Sequence, residues 1–285
     1  FFTRDGGGMG GFDIWQAPIL PVVDLNGDET VDAVDFSILA GGWQSNDSLC
    51  DIAPLAICPD GVVDIQDVAA LAGHWLDDYR FVAHWKLDEA DGPIAYDSVG
   101  EYDAGLQGEP LWQPEAGISG GAIQLDGQDD FIQIPALLDS QGSPFSVLFW
   151  IKGGAPGQTI LSQVGGPRGG GTVWLATDPL EGKLMTSLMV PPVPALQLYS
   201  DAVITDDQWH HIGLVWDGTH RHLYVDGQQV AEDQMNIGPV SCRSILNLGA
   251  GPDTTQNGTL FKGLIDDVRI YKAALSEGYI RCILR

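Results

Sequence analysis

The sequence predicts a mainly β protein: an antiparallel sandwich or barrel from about residue 81 onward, with a small helical, acid-rich domain before it. Three observations carry this. After residue 81, apolar residues alternate with period two between turn signals. Residues 21–78 repeat themselves at an offset of 32. The charge is lopsided, with 39 acidic residues against 13 basic ones and a net of −26. A nucleic acid or an anionic membrane surface would need Lys/Arg clusters, and none is present. No apolar run reaches the roughly 18 residues of a membrane span.

Residues 1–20 form a Gly-rich leader that ends Gly10-Gly11-Phe12-Asp13-Ile14-Trp15. This ending resembles the last strands of a blade in TolB-like β-propellers, which would make the chain the C-terminal part of a longer protein. No charged start followed by an apolar core marks a signal peptide. A mature chain would look the same.

Residues 21–80 carry the repeat. Asp28, Val31, Asp32, Asp35, Leu39, Ala40, Gly41 and Trp43 recur as Asp60, Val63, Asp64, Asp67, Leu71, Ala72, Gly73 and Trp75. Each copy reads as an acidic loop and a short amphipathic helix. The apolar residues are Val34, Phe36, Ile38, Leu39 and Trp43 in the first, and Val68, Leu71, Ala72 and Trp75 in the second. Helices this short need each other's faces.

Calcium takes six to eight oxygens, and a 12-residue loop supplies them at positions 1, 3, 5, 7, 9 and 12. Counted from Asp24, these are Asp24, Asn26, Asp28, the Thr30 carbonyl, Asp32 and Asp35. Glu29 stands where such loops place Gly, and Gly27 lies earlier. The second loop keeps Asp60, the Val62 carbonyl, Asp64 and Asp67, but Ala56 and Cys58 cannot ligate at positions 1 and 3. Asp51 is the acid that can reach in from the longer preceding segment. The pair resembles dockerin domains, the duplicated calcium modules of bacterial secreted proteins. Cohesin-binding dockerins often carry Ser-Thr at loop positions 10 and 11. Ala33-Val34 and Ile65-Gln66 stand there instead.

Residues 81–285 form the β domain. Residues 145–151, 210–216, 223–225 and 264–271 read as strands, with turns at Asp126-Gly127, Asp217-Gly218 and Asp226-Gly227. Trp216-Asp217-Gly218 followed by Leu223-Tyr224-Val225-Asp226-Gly227 predicts consecutive hairpins. Several segments occur in one order: His84-Trp85-Lys86-Leu87-Asp88-Glu89, then residues 95–100, then Leu125-Asp126-Gly127-Gln128-Asp129-Asp130-Phe131. Residues 145–151, Trp209-His210-His211, residues 223–227 and 263–271 follow. Together they resemble the laminin-G-like family of the concanavalin A-like lectin/glucanase superfamily, across residues 81–275. The resemblance implies a two-sheet jelly roll. It also implies a structural calcium near the first and last strands, at Asp97 and Asp266, with Asp126 a weaker match.

Catalysis is not expected. Retaining glucanases of the superfamily carry E-x-D-x-x-E on one strand, because the acid and nucleophile must stand about 5 Å apart. The E-x-D at Glu89-Ala90-Asp91 precedes Gly92-Pro93 and lacks the third acid. No P-loop appears. His210 and His211 point to opposite strand faces. His220 and His222 share one, an arrangement open to a transition metal, with a solvated hairpin edge the expected reading. Among aromatic residues able to stack on sugars, Trp174 and Tyr199 are the candidates, with Trp112 in a similar context; Trp150 and Trp216 are expected in the core.

Four cysteines allow three pairings, and Cys50–Cys58 with Cys242–Cys282 keep each bridge within one domain. Asn46-Asp47-Ser48 and Asn257-Gly258-Thr259 are glycosylation acceptor motifs. The short Asp77-Asp78-Tyr79-Arg80 junction predicts limited motion between domains. The expectation is a secreted or cell-surface, calcium-binding, non-catalytic protein that binds a polysaccharide or glycan. The alternative is an extracellular structural or assembly component with another protein, or its own copies, as partner.

Overall fold

The computed structural model describes residues 23, 25–26, 31–46, 50, 52, 62–73, 81–137, 144–165, 171–188, 197–234, 244–254 and 259–284. The expectations for residues 1–20, Asp24, Asp28, Thr30, Asp60, Cys58, Cys242, the 77–80 junction and the side chain of Cys282 lie outside these residues. So do the expected bridges. Cys50 itself is buried, with its Sγ 3.5 Å from the Ile38 carbonyl. The chain forms two compact units, Phe1–Leu76 and Asp77–Arg285.

The first unit holds α1 (Ala33–Gly41) and α2 (Ile65–Gly73). Asp32 caps α1, accepting from the Val34 N–H at 2.7 Å, while Asp35 closes a capping box onto the Asp32 N–H at 2.8 Å. Asp64 and Asp67 do the same before α2. The core residues Val31, Leu39, Val63 and Leu71 recur in register and are all buried. The expected apolar face of α1 is largely outside: Val34, Phe36 and Trp43 are each more than 40% exposed. Buried Asp35 occupies the core-facing position that Phe36 was expected to share.

The second unit is an antiparallel sandwich. Its strands are β1 (Phe81–Trp85), β2 (Ile94–Ala95), β3 (Ala104–Gln107), β4 (Leu111–Gln113), β5 (Ala122–Asp126), β6 (Phe131–Ile134), β7 (Phe145–Gly153) and β8 (Thr159–Gln163). They continue as β9 (Thr172–Thr177), β10 (Lys183–Thr186), β11 (Leu198–Val203), β12 (Trp209–Trp216), β13 (His220–Val225), β14 (Gln228–Gln234), β15 (Leu246–Leu248) and β16 (Lys262–Tyr271). One sheet runs β14-β13-β12-β7-β16-β5-β4, with β1 also on β16; the other runs β11-β10-β9-β8-β15-β6-β3-β2. A short helix, α3 (Glu277–Cys282), follows the last strand.

Alternation builds the core. Phe145, Val147, Phe149 and Ile151 of β7 face inward beside Ile212, Leu214 and Trp216 of β12. Ile132, Ile134, Leu246, Leu248 and Leu184 meet them from the other sheet. The expected hairpins are present: β12 pairs β13, and β13 pairs β14 through Asp226-Gly227, both at positive φ (51° and 75°), the signature of a type I′ turn. Trp174 is fully buried, its ring 5.0 Å from Phe145, so it links the two sheets and cannot stack on a sugar. Trp150 sits half-buried on the outer face, its ring 5.2 Å from His211, and not in the core.

Candidate functional site

Where β5 ends, Asp126-Gly127 turns the chain back into β6. Gly127 lies at φ 75°, and a Cβ there would come within 2.8 Å of Lys262. The turn brings Asp126, Asp129 and Asp130 together, with one ligating oxygen of each within 4.8 Å of the others. Asp130 is buried and holds the geometry: its carboxylate accepts from the Glu109 N–H at 2.8 Å and the Asp126 N–H at 3.0 Å. Gly108 packs so closely that a Cβ would stand 2.5 Å from Asp130 Oδ1. Asp126 in turn accepts from both the backbone and side chain of Gln128.

These acids line an open groove of about 580 Å³ with Gly108, Glu109, Leu111 and Gln124. Burial pushes Asp130 up, as do the charges of Asp126 and Asp129, against the two backbone N–H groups. Leu111 lies 59% exposed on the groove wall. Carboxylates and an amide beside an apolar surface can accept hydrogen bonds from hydroxyls, and three clustered carboxylates also suit a hard cation. Of this set only Asp126 was singled out from sequence; the Asp129-Asp130 pair directly after a turn was the available signal.

A second acidic site joins the first and last strands. Asp266 is fully buried; its Oδ2 accepts from the N–H groups of Ile118 (2.7 Å) and Ser119 (3.3 Å), and its Oδ1 has no hydrogen-bond partner. Burial above all, then the charges of Asp267 and Asp88, push its carboxyl up to about 7. Asp88 is exposed and accepts from the Gly121 N–H of the same loop at 2.6 Å. The glycines let the loop close: a Cβ on Gly120 would be 2.4 Å from Asp88, and one on Gly117 would be 2.7 Å from Asp266. The acid sharing this loop with Asp266 is thus Asp88. The expected Asp97 instead spends its oxygens on the N–H groups of His84, Val99 and Tyr102, closing its own turn. Asp267 pairs with His84 at 2.7 Å and with Arg269 at 2.8 Å; burial would raise it, but these partners hold it down.

In the first unit, Asp35 accepts from Leu25 (2.7 Å) and Asn26 (3.1 Å) as well as Asp32. Asp67 accepts from Ile52 at 2.6 Å and Asp64 at 2.7 Å. Leu25 therefore corresponds to Ile52, and the second loop is five residues longer than the first. Val23 and Cys50, each two residues before that donor, are both buried. Val62 is 48% exposed.

Glu89 and Asp91 belong to the turn before β2. They lie outside any strand; Glu89 Oε1 accepts from Tyr96, and Asp91 is exposed. Tyr199 is 47% exposed on β11, with its hydroxyl bonded to Gln197. Trp112 is half-buried and donates to the Gly92 carbonyl.

Two facing antiparallel sheets with the first and last strands tied together define a concanavalin-type sandwich. Residues 126–281, more than half of the chain, match a laminin-G-type family model of the concanavalin A-like lectin/glucanases superfamily, and the chain belongs to that family. Among solved structures, domain 4 of an extracellular arabinanase from Geobacillus stearothermophilus, in complex with arabinotriose, is 22% identical with a TM-score of 0.56. The alignment covers 73% of this chain and 99% of that one. The binding domain of Paraclostridial Mosquitocidal Protein 1 is 15% identical with a TM-score of 0.56, covering 71% of this chain and 51% of that one. A Trypanosoma rangeli sialidase in complex with sialic acid is 16% identical at 0.52, covering 70% and 32%. No curated protein sequence matches the chain. No helix among the described residues is long and apolar enough to cross a membrane.

Proposed function

We propose that the chain is a secreted, non-catalytic carbohydrate-binding protein in which calcium stabilises both units. The acid-lined groove beside exposed Leu111 is the observation that carries the sugar-binding reading. The fold shared with the arabinanase domain that was crystallised with arabinotriose supports it. In this reading Glu109, Gln124, Asp126 and Asp129 accept from sugar hydroxyls, and Leu111 covers an apolar ring face.

Calcium fits the loop between Asp88 and Asp266, where a buried carboxylate oxygen lacks a partner and a second, exposed carboxylate opens the way to solvent. In the repeat unit it would be held by Asp24, Asn26, Asp28, Asp32, Asp35 and the Thr30 carbonyl, and in the second loop by Asp51, Asp60, Asp64, Asp67 and the Val62 carbonyl. Its role there is to offset carboxylate repulsion and fix the loops, in the dockerin-like manner. Exposed Val34, Phe36, Trp43, Val62 and Ile65 favour a protein partner for this unit, which keeps the assembly-component reading alive.

A glycan array probed with the full chain in calcium tests the sugar-binding role. Capture of a defined class of oligosaccharide is expected. Uniform silence, together with retention by a protein partner, would favour the assembly component.

A further inference from the structure

The sheet that contains β7 and β16 has an outer face with two unlike halves. At one end the segment after β16 covers it. The Ser146 hydroxyl donates to the Ala273 carbonyl at 2.7 Å and accepts from the Leu275 N–H at 2.9 Å. The Tyr279 ring of α3 stands edge-on to that of Tyr271, 6.1 Å away. The other end keeps contact with solvent, and the sugar-binding reading uses only its margin.

Strand register shows what stands there. Leu111 is the cross-strand partner of Gln124, Gln124 of Leu264, Leu264 of Lys152, and Lys152 of Trp209. Cross-strand partners share a face. Ile123, Ile265 and Ile151, next to these residues along their strands, belong to the core, so the row itself points outward. Leu111 and Gln124 are exposed, and Leu264, Lys152 and Trp209 are half-buried. Gln113 donates to Gln124 at 2.8 Å and so fixes that amide on the same face. Trp150, two residues before Lys152, shares the face too, and the His211 ring holds it from the side at 5.2 Å.

Five strands about 4.8 Å apart make this row roughly 19 Å long, the span of about four sugar rings. Its first two members, Leu111 and Gln124, already line the acidic groove. Along the row, apolar and polar side chains alternate. Leu111, Leu264 and Trp209 offer surface to the C–H faces of rings, and Gln124 and Lys152 between them reach hydroxyls. A polysaccharide presents both kinds of surface at every unit. An added peptide strand would need the free backbone groups of a sheet edge, whereas this row crosses strands that are already paired.

We infer that the row is a track for an internal stretch of a neutral polysaccharide, about four units long, that continues from the acidic groove to Trp209. The inference rests on the sugar-binding reading and extends it from one groove to a chain of subsites. Neutral chains fit because Glu109, Asp126, Asp129 and Asp130 stand at the groove end of a protein with a net charge of −26, so uronic or sialic acid chains meet like charge.

The test is calorimetric titration of the full chain, in calcium, with arabinose, xylose and glucose oligomers of two to six units and with galacturonic acid oligomers of the same lengths. For at least one neutral series, affinity should rise at least about tenfold from dimer to tetramer and then level off, and the acidic series should bind at least about tenfold more weakly. In Trp209→Ala and in Lys152→Ala the gain with length should vanish. Leu180→Ala, in the turn between β9 and β10 of the other sheet and 86% exposed, should keep it. Near-ultraviolet dichroism confirms that each variant is folded. A wild type that binds dimer and tetramer alike, or a gain with length that both row variants keep, overturns the track and leaves the groove as a site for a short sugar. Equal binding of the acidic series overturns the neutral assignment. No binding of any oligomer overturns the track together with the sugar-binding reading.

Discussion

Replacing Asp266 by Asn separates a calcium site from a merely buried acid. The carboxyl is pushed up to about 7, and one of its oxygens has no partner. That is about three pH units above an ordinary carboxyl, so an ionised Asp266 at pH 8 without calcium costs roughly 4 kcal/mol. Asn carries no charge and can still accept from Ile118 and Ser119 through its carbonyl. In chelator at pH 8 the variant should therefore be more stable than the wild type, by about 2–4 kcal/mol. For a unit this size, that is a rise of roughly 4–16 °C in the unfolding midpoint. Adding calcium should reverse the order, because the ion neutralises Asp266 in the wild type and gains little from Asn. The assay is scanning calorimetry of wild type and Asp266→Asn, with and without calcium, following the sandwich transition. Equal calcium-induced shifts in the two proteins would refute the assignment of the ion to this loop.

Three further outcomes follow from the same structure. His211 is 3% exposed and pushed down to about 4, by burial first and by Arg269 beside it. It stays neutral in the fold while the unfolded chain protonates below about 6.5, so its contribution is complete above pH 6.5 and is lost as pH falls toward 4. Wild type should lose up to about 3 kcal/mol more than His211→Gln across that window in urea titrations, and parallel losses would contradict the account. Trp174→Ala should cost about 3–5 kcal/mol by urea unfolding, the loss of a packed core ring; a negligible cost would return Trp174 to the surface. Asp35→Ala removes the carboxylate that gathers Leu25, Asn26 and Asp32, so circular dichroism should show lost helix that calcium does not restore.

The sequence made the sandwich legible because strand alternation and Asp-Gly turns are local signals. Residues 145–151 and 210–216 show their inward faces directly in their spacing, and Asp226-Gly227 announces its turn. The loop–helix repeat was legible for the same reason, down to the buried pairs Val31/Val63 and Leu39/Leu71. What escaped was long-range. Ile118 meets Asp266 across more than a hundred residues, so nothing near Asp88 or Asp97 in sequence tells which of the two shares that loop. Trp174 follows a Gly-rich stretch that suggests a loop, yet packing against Phe145 settles its place. The second acidic loop was read only in part, because five additional residues hid the correspondence of Ile52 to Leu25 as donors to the buried aspartates Asp67 and Asp35. The acid-lined groove was half visible: Asp126 stood out by its turn, but Glu109 and Leu111 reach it only through the pairing of β4 with β5.

The most direct test of the sugar-binding claim compares glycan capture by the wild type and by Asp129→Ala, an exposed groove residue that takes no part in the core. The account predicts that the wild type retains a defined oligosaccharide and that the variant, equally folded, loses most of that retention. Undiminished capture by Asp129→Ala would place the sugar site elsewhere on the sandwich, and no capture by either protein would contradict the carbohydrate-binding function itself.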